Sequence, residues 1–224
     1  MNGIETLQKA TMENRPTIST LPGRHKRVYA GHPWIYSNEI DMTEDLKALP
    51  QGTIVTVKDA YERPLGTAMF NPRPLISARI LDRDPGAVIN TDWLSEKFSA
   101  AMELRDRMYN EPFYRLVHAE ADGLPGLTVD RYSGIYVVQL NTAGMNQLAE
   151  EIVSALEEVS TPTSIVLQRV GAARRMEGLE DAPADVIGDL PSQARVLENG
   201  VEFLADLSAG QKTGWFYDHR ENRA

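Results

Sequence analysis

The chain has 224 residues and contains no cysteine, which already limits its chemistry. Disulfides, thiolate metal sites and cysteine nucleophiles are all excluded from it. With 42% hydrophobic and 25% charged residues, the composition is that of a globular protein with room for one large or two small domains. The sequence has no run of 18 apolar residues and no signal-peptide core, so we expect a cytoplasmic protein without membrane contact.

The net charge of -9 is unevenly distributed, and this bears on nucleic-acid binding. Residues 15–83 hold ten Lys or Arg against seven Asp or Glu, whereas residues 141–210 hold four against twelve. Polyanion binding depends on a local basic patch rather than on the charge of the whole chain. The first third is therefore a candidate RNA surface, although its small positive balance is equally that of an ordinary surface.

The basic cluster Arg24-His-Lys-Arg27 is the first stretch that points to a function. It follows residues 1–20, which have little periodicity and are predicted to be a flexible extension. Tyr29, Trp34 and Tyr36 come next, and flat rings beside cations suit unstacked RNA bases and their phosphates. We expect the basic side chains to contact RNA, because a basic cluster has no role in a core, and Trp34 to be a core residue.

Short strands dominate the rest of the first third. They are predicted at 53–57, 65–70 and 75–81, between turns rich in glycine and proline. This pattern is typical of a small β-barrel, which we assign to residues 21–82. Arg73 and Arg79 would lie at a barrel rim, where they either meet a phosphate backbone or are simply solvated.

Residues 83–90 are predicted to be a linker, and residues 91–207 a central α/β domain, so the overall fold class is α+β. Residues 171–191 form a polar loop without an assigned place, and its Arg174 and Arg175 either contact RNA or, as is usual for arginines in a flexible loop, are only solvated. The predicted elements of the domain are a helix capped by Thr91 or Asp92, a meander of strands at 113–118, 127–132 and 135–140, a helix at 146–159, a strand at 164–169, and a hairpin turning at Asn199-Gly200.

Three carboxylates within residues 120–130 suggest a catalytic site at first sight. Spacing in sequence does not show that carboxylates converge, and a glycosidase or metal site needs that convergence. We therefore interpret Asp122, beside Gly123, as a turn former and Asp130 with Arg131 as a structural ion pair. The four histidines lack metal-ligand spacing, so no metal is predicted.

The last stretch is the most distinctive. Gly210 and Gly214 bracket Gln211, Lys212 and Thr213, which together suit the lip of a small-ligand site. Three aromatic residues and a charged run follow, typical of a helix start with Thr213 or Asp218 as N-cap. A helix of about two turns is marginal by itself. We therefore expect residues 208–224 to open a further domain.

Three stretches together resemble one family. They are residues 31–40 (Gly-His-Pro-Trp-Ile-Tyr-Ser-Asn-Glu-Ile), 120–132 (Glu-Ala-Asp-Gly-Leu-Pro-Gly-Leu-Thr-Val-Asp-Arg-Tyr) and 210–223 (Gly-Gln-Lys-Thr-Gly-Trp-Phe-Tyr-Asp-His-Arg-Glu-Asn-Arg). The chain is similar here to the bacterial class I S-adenosylmethionine-dependent 23S rRNA (cytosine-5) methyltransferase I family. That family has an N-terminal PUA RNA-binding domain, a central α/β domain and a C-terminal Rossmann-like methyltransferase domain. The last is expected to be absent, since the chain has no Gly-x-Gly-x-x-Gly loop.

The resemblance implies S-adenosyl-L-methionine as cofactor and 23S rRNA as partner, with a homodimer as a further option. It also implies that the attacking cysteine is not in this chain, which alone should neither methylate RNA nor bind the cofactor tightly. The alternatives are a stand-alone RNA-binding adaptor and a dimerisation module. The expected cofactor-binding residues are Gln211, Lys212, Thr213, Gly214, Phe216, Asp218 and Arg220. The expected RNA-binding residues are Arg24, Lys26, Arg27, His32, Arg73 and Arg79.

Overall fold

A computed structural model describes residues 15–207 and 214–223. The chain divides between Ile89 and Asn90 into two units, and each is a mixture of strands and helices. The mixed α/β character expected from the sequence is therefore confirmed. Each unit is described by itself below.

The first unit contains a five-stranded sheet in the order β1-β3-β4-β5-β2, in which β1 is parallel to β3 and the other pairs are antiparallel. In the part of this unit that the structure describes, two short α-helices accompany the sheet, α1 (Lys26–Tyr29) and α2 (Glu44–Lys47). The three strands predicted for the middle of this unit are present to within one residue at each end. The strands are β1 (Thr17–Ser19), β2 (Trp34–Tyr36), β3 (Thr53–Lys58), β4 (Pro64–Phe70) and β5 (Ile76–Asp82).

The two outer strands of this sheet are also connected. Thr20 and Ile40 form an antiparallel bridge, and the Leu21 amide donates to the Glu39 carbonyl at 2.8 Å. This link joins the residues that follow β1 to those that follow β2, as in a small barrel, so the sheet has no free edge at that corner. The enclosed core contains Ile18, Val28, Ile35, Val55, Val57, Leu65, Phe70 and Ala78.

The flexible extension predicted for residues 1–20 is wrong in its last part. Residues 1–14 lie outside the described residues, but Thr17–Ser19 is a strand, and Ile18 is fully buried. Arg15 also donates to the Thr67 hydroxyl at 3.1 Å and to the Ala87 carbonyl at 2.9 Å. Three residues are too few to show a strand period, so only pairing with β3 reveals this segment.

The second unit contains a sheet in the order β10-β9-β8-β7-β6 and a separate hairpin of β11 and β12. β8 and β9 are parallel, and the other neighbours in the sheet are antiparallel. The predicted meander is confirmed as β6, β7 and β8. The strands are β6 (Phe113–His118), β7 (Leu127–Tyr132), β8 (Ile135–Leu140), β9 (Ser164–Arg169), β10 (Ala182–Gly188), β11 (Ala194–Glu198) and β12 (Val201–Ala205).

Four helices accompany this sheet in the described residues: α3 (Thr91–Met108), α4 (Ala143–Gln147), α5 (Ala149–Ser160) and α6 (Ala172–Met176). α3 packs against α5 through its buried face, which includes Leu94 and Phe98. The apolar spacing that predicted both long helices arises from this contact.

Three sequence predictions for this unit need correction. Asn90, rather than Thr91 or Asp92, caps α3, and its side chain accepts from the Trp93 amide at 3.0 Å. The single helix predicted at 146–159 is two helices, α4 and α5, because Thr142 caps an earlier start. The loop predicted at 171–191 contains α6 and β10, and β10 pairs with β9.

The described residues contain no helix that is both long and apolar enough to cross a membrane.

Candidate RNA interface and terminal clasp

The basic cluster of the first unit lies on a turn and on α1. Arg24, Lys26 and Arg27 are all exposed, and Val28 alone anchors α1 in the core. Within the described residues, neither Arg24 nor Lys26 forms an ion pair. Their charges are therefore available to an anion in solution.

Arg27 is held in place by its neighbours. Its guanidinium lies 3.6 Å from the Glu39 carboxylate, 3.3 Å from His32 Nδ1 and 4.9 Å from the centroid of the Tyr36 ring. His32 Nδ1 in turn lies 3.1 Å from the Trp34 amide nitrogen. Arg27 and His32 thus form one fixed group, and part of the Arg27 charge is offset by Glu39.

The structure places Arg79 next to Trp34, whose ring centroid lies 5.6 Å from that of His32, but it does not bring Arg73 there. Arg79 lies on β5 directly opposite Trp34 on β2. Arg73 is exposed on the turn between β4 and β5, where its amide donates to Asn71 Oδ1 at 3.1 Å. The expected burial of Trp34 is wrong: Trp34 is half-buried, and the core position on β2 belongs to Ile35.

Sequence reasoning named Tyr29 but missed Tyr61, the exposed ring that the fold places near it. Tyr61 is 66% exposed and Tyr29 is 54% exposed, and Arg63 lies between them. Tyr61 and Arg63 appear in the sequence only as a break between two strands. A Tyr-x-Arg turn beside a basic cluster is the signal that would have found them.

In the second unit Asp122 does more than form a turn. Its carboxylate receives two hydrogen bonds from the Arg105 guanidinium, at 2.6 and 2.7 Å, and one from the His118 amide at 2.6 Å. Gly123 does adopt a left-handed conformation, with φ of 70°. This bidentate pair ties α3 to the end of β6 and leaves the carboxylate no free oxygen for catalysis.

The ion pair predicted between Asp130 and Arg131 is also wrong. Asp130 is fully buried and accepts from Arg115 at 2.7 and 3.0 Å. Adjacent strand residues point to opposite faces, so Asp130 and Arg131 cannot meet, whereas Arg115 is the Cα partner of Asp130 across the sheet. Arg131 instead donates to the Tyr114 hydroxyl at 2.5 Å.

Arg174, expected to be solvated, is only 3% exposed. It donates to the Leu140 carbonyl at 2.5 Å and to Asn146 Oδ1 at 3.1 Å. Burial lowers the pKa of Arg174, and the charge of Arg169 acts in the same direction. Arg174 therefore has a structural role, because it binds the backbone carbonyl at the end of β8. Arg175 remains on the surface, paired with Asp181 at 2.5 Å.

The end of the chain is held by one buried carboxylate. Glu198 is 2% exposed and accepts from Arg223 at 2.7 and 3.1 Å and from Trp215 Nε1 at 3.1 Å. The Arg220 guanidinium is 3.7 Å away. We call Glu198, Trp215, Arg220 and Arg223 the terminal clasp.

Two of the three aromatic residues of the terminal stretch, Trp215 and Tyr217, pack against the core of the second unit. Tyr217 is 9% exposed, its ring centroid lies 5.4 Å from that of Tyr132 with the two rings tilted by 35°, and its hydroxyl donates to the Arg131 carbonyl at 2.8 Å. The helix expected from Asp218 is wrong, because the described residues form two single 3-10 turns, Tyr217–His219 and Glu221–Arg223.

The expected cofactor-binding residues are placed unevenly. Gln211, Lys212 and Thr213 lie outside the described residues. Gly214 has φ of 89°, and a Cβ there would lie 2.7 Å from the Asp206 carbonyl oxygen, so glycine is required. Phe216 and Asp218 are exposed. Arg220 lies over the Tyr109 ring at 4.4 Å, within the clasp.

Between residues 15 and 223, leaving aside 208–213, no group of three or more His, Asp or Glu side chains is arranged to hold a metal ion.

Comparison with known proteins gives these features a context. A family model described as a PUA-like domain matches residues 21–83, which confirms the PUA-like assignment of the first unit. Ribosomal RNA large subunit methyltransferase I from Pseudoalteromonas atlantica is 33% identical over 216 residues, 95% of this chain and 54% of its own length. The enzyme of the same name from Photobacterium profundum is 34% identical over 211 residues, 92% of this chain and 53% of its own. The chain thus spans about half the length of these curated relatives.

Solved structures show the same fold. A Streptococcus mutans protein described as a SAM-dependent methyltransferase superposes with a TM-score of 0.75 at 19% identity, over 93% of this chain and 53% of its own. A methyltransferase described as complexed with SAH superposes with a TM-score of 0.72 at 20% identity, over 93% of this chain and 52% of its own. At these identities the likeness concerns the fold alone.

Proposed function

We propose that this chain, whose curated relatives are ribosomal RNA large subunit methyltransferases I, is the RNA-binding portion of an S-adenosylmethionine-dependent rRNA methyltransferase. The observation that carries the proposal is one-third identity across both units, from the PUA-like domain to the terminal segment. The acceptor we propose is carbon 5 of a cytosine in 23S rRNA.

The first unit supplies the RNA contact in this proposal. Arg24 and Lys26 are exposed cations without carboxylate partners in the described residues, and Arg27, His32 and Arg79 gather beside β2. Arg73 lies on a separate turn, and we propose that it extends this RNA-binding surface. Exposed cations of this kind bind phosphates, and base contacts then provide selectivity.

The second unit supplies the support for the cofactor segment. Gln211, Lys212, Thr213 and Gly214 come directly before Trp215 in the sequence, and Glu198 holds Trp215 and Arg223 in place. Phe216 and Asp218 follow in the sequence, and both are exposed to solvent. S-adenosylmethionine would supply the methyl group. The chain's lack of cysteine means that the thiol that attacks the base lies elsewhere in the whole enzyme.

RNA binding is tested with a fluorescent 23S rRNA hairpin and the full 224-residue chain. If Arg24, Lys26 and Arg27 each neutralise about one phosphate, affinity should fall about 20- to 40-fold between 50 and 200 mM salt. Lys26→Ala should reduce the slope of log affinity against log salt by about one. Lys47→Ala is the matched control, because that lysine is exposed in the same unit but paired with Glu44 at 2.7 Å. No binding at low salt would contradict the proposal.

Cofactor binding is tested by isothermal titration of the chain with S-adenosylmethionine. We expect no binding at micromolar concentrations and no methyl transfer to the same hairpin, because the chain offers only one segment of the proposed cofactor site. Micromolar affinity would contradict the proposal that the remaining half of the enzyme is needed. Sedimentation of the same sample tests the proposed homodimer.

A further inference from the structure

Two exposed tyrosines face each other across one histidine on the first unit. The Tyr29 and Tyr61 ring centroids lie 5.5 and 6.3 Å from that of His25, both in edge-on contact. They come from different elements, α1 and the turn between β3 and β4, so the fold alone brings them together. Each of the two residues is more than half exposed to solvent.

The turn that presents Tyr61 is locked by a buried carboxylate. Asp59, fully buried, accepts from the amides of Tyr61 at 2.8 Å and Arg63 at 3.0 Å, and from Arg63 Nε at 2.7 Å. Glu62, between them, has φ of 63°, a strained value for a side chain, and the Asp59 hydrogen bonds hold it there. A surface fixed in this way loses little conformational entropy when a ligand binds.

The Arg63 guanidinium lies near both tyrosine rings. Its guanidinium carbon is 5.3 Å from the centroid of Tyr61 and 5.9 Å from that of Tyr29, while Asp59 holds its other edge. A guanidinium fixed beside aromatic faces adds a further flat, cationic surface on which a base can stack. We call Tyr29, Tyr61 and Arg63 the stacking platform.

The charges around the platform favour an anionic ligand. Lys26 precedes Tyr29 by three residues on α1 and has no carboxylate partner in the described residues. The acidic neighbours are already occupied, since Asp59 pairs with Arg63 and Glu62 pairs with Lys58 at 3.2 Å. Exposed aromatic faces beside an unpaired lysine match a nucleobase on a phosphate backbone better than they match an apolar protein surface.

We propose that the stacking platform holds an unpaired base of single-stranded RNA. The inference rests on the proposed function and adds a second kind of RNA contact to it. The basic cluster binds phosphates, whereas the stacking platform binds bases. A base within a duplex is already stacked, so the platform selects loops and ends of rRNA.

The test compares two fluorescein-labelled ten-nucleotide RNAs, one of adenosines and one abasic, which carry the same phosphates. The full chain should bind the adenosine strand about 5- to 100-fold more tightly. Tyr61→Ala and Tyr29→Ala should each remove most of that preference and leave the salt slope unchanged, since no phosphate contact is lost. Tyr61→Phe should retain it, because the ring remains.

Leu104→Ala is the control for removal of an exposed side chain, because Leu104 is 50% exposed on the second unit. Circular dichroism of each variant verifies its fold. If folded Tyr29→Ala and Tyr61→Ala keep the preference for bases, or if they weaken both strands equally, the platform is overturned while phosphate binding by Lys26 stands. If the unaltered chain binds neither strand at low salt, the proposed function fails as well.

Discussion

Replacing Asp130 by alanine is expected to lower the free energy of unfolding of the second unit by about 3 kcal/mol. The carboxylate is fully buried and takes two hydrogen bonds from Arg115, whose side chain is only 26% exposed. Removing it leaves a guanidinium in the sheet without its counter-charge. Urea unfolding followed by circular dichroism measures the change.

The matched control is Glu103→Ala. Glu103 and Arg107 form an ion pair of the same chemistry on the exposed surface of α3, where both side chains are about 70% exposed. Solvated pairs of this type contribute about 0.5 kcal/mol or less. A second variant, Arg115→Met/Asp130→Leu, removes both charges and should recover much of the loss. An Asp130→Ala change as small as that of Glu103→Ala would show that the buried pair does not stabilise the sheet.

Replacing Glu198 by alanine is expected to detach residues 214–223 and to cost about 3 kcal/mol of stability. The carboxylate accepts from Trp215 and Arg223, and Arg223 and Arg220 keep only 26% and 18% of their side chains exposed. Trypsin at pH 8 measures the detachment, since cleavage after Arg220 should become rapid in the variant. Glu202→Ala, in the same hairpin but with its carboxylate half exposed to solvent, should leave the cleavage rate unchanged.

The clasp also has a predictable pH dependence. Burial by itself raises the pKa of Glu198, but the hydrogen bonds from Arg223 and Trp215, with the charges of Arg223 and Arg220, outweigh it and hold the pKa below its ordinary value of 4.5. A lowered folded-state pKa contributes stability above 4.5 that is lost as the pH falls through the folded value. Thermal melts should therefore show a step below pH 4.5 that is absent in Glu198→Gln. If Glu198→Gln shows the same fall in melting temperature below pH 4.5, the clasp is not the cause of that fall.

Local patterns in the sequence predicted most of the regular elements of this chain. The alternation at 127–132 and 135–140, separated by Ser133-Gly134, specifies β7 and β8 at their observed bounds. Asn199-Gly200 specifies the hairpin of β11 and β12, since both residues adopt positive φ there. The basic cluster was likewise visible in the sequence, because adjacent cations exclude a core position.

The sequence alone determined the elements with several periods of hydrophobic pattern, the basic cluster and the family resemblance, because these depend on neighbours along the chain. Only the tertiary structure decided the partners of Asp130, Asp122, Arg174 and Glu198 and the meeting of Tyr29 with Tyr61. Strand register and the packing of distant segments select those partners. The sequence around a charged residue does not show whether its counter-charge is the adjacent residue or a residue on a neighbouring strand.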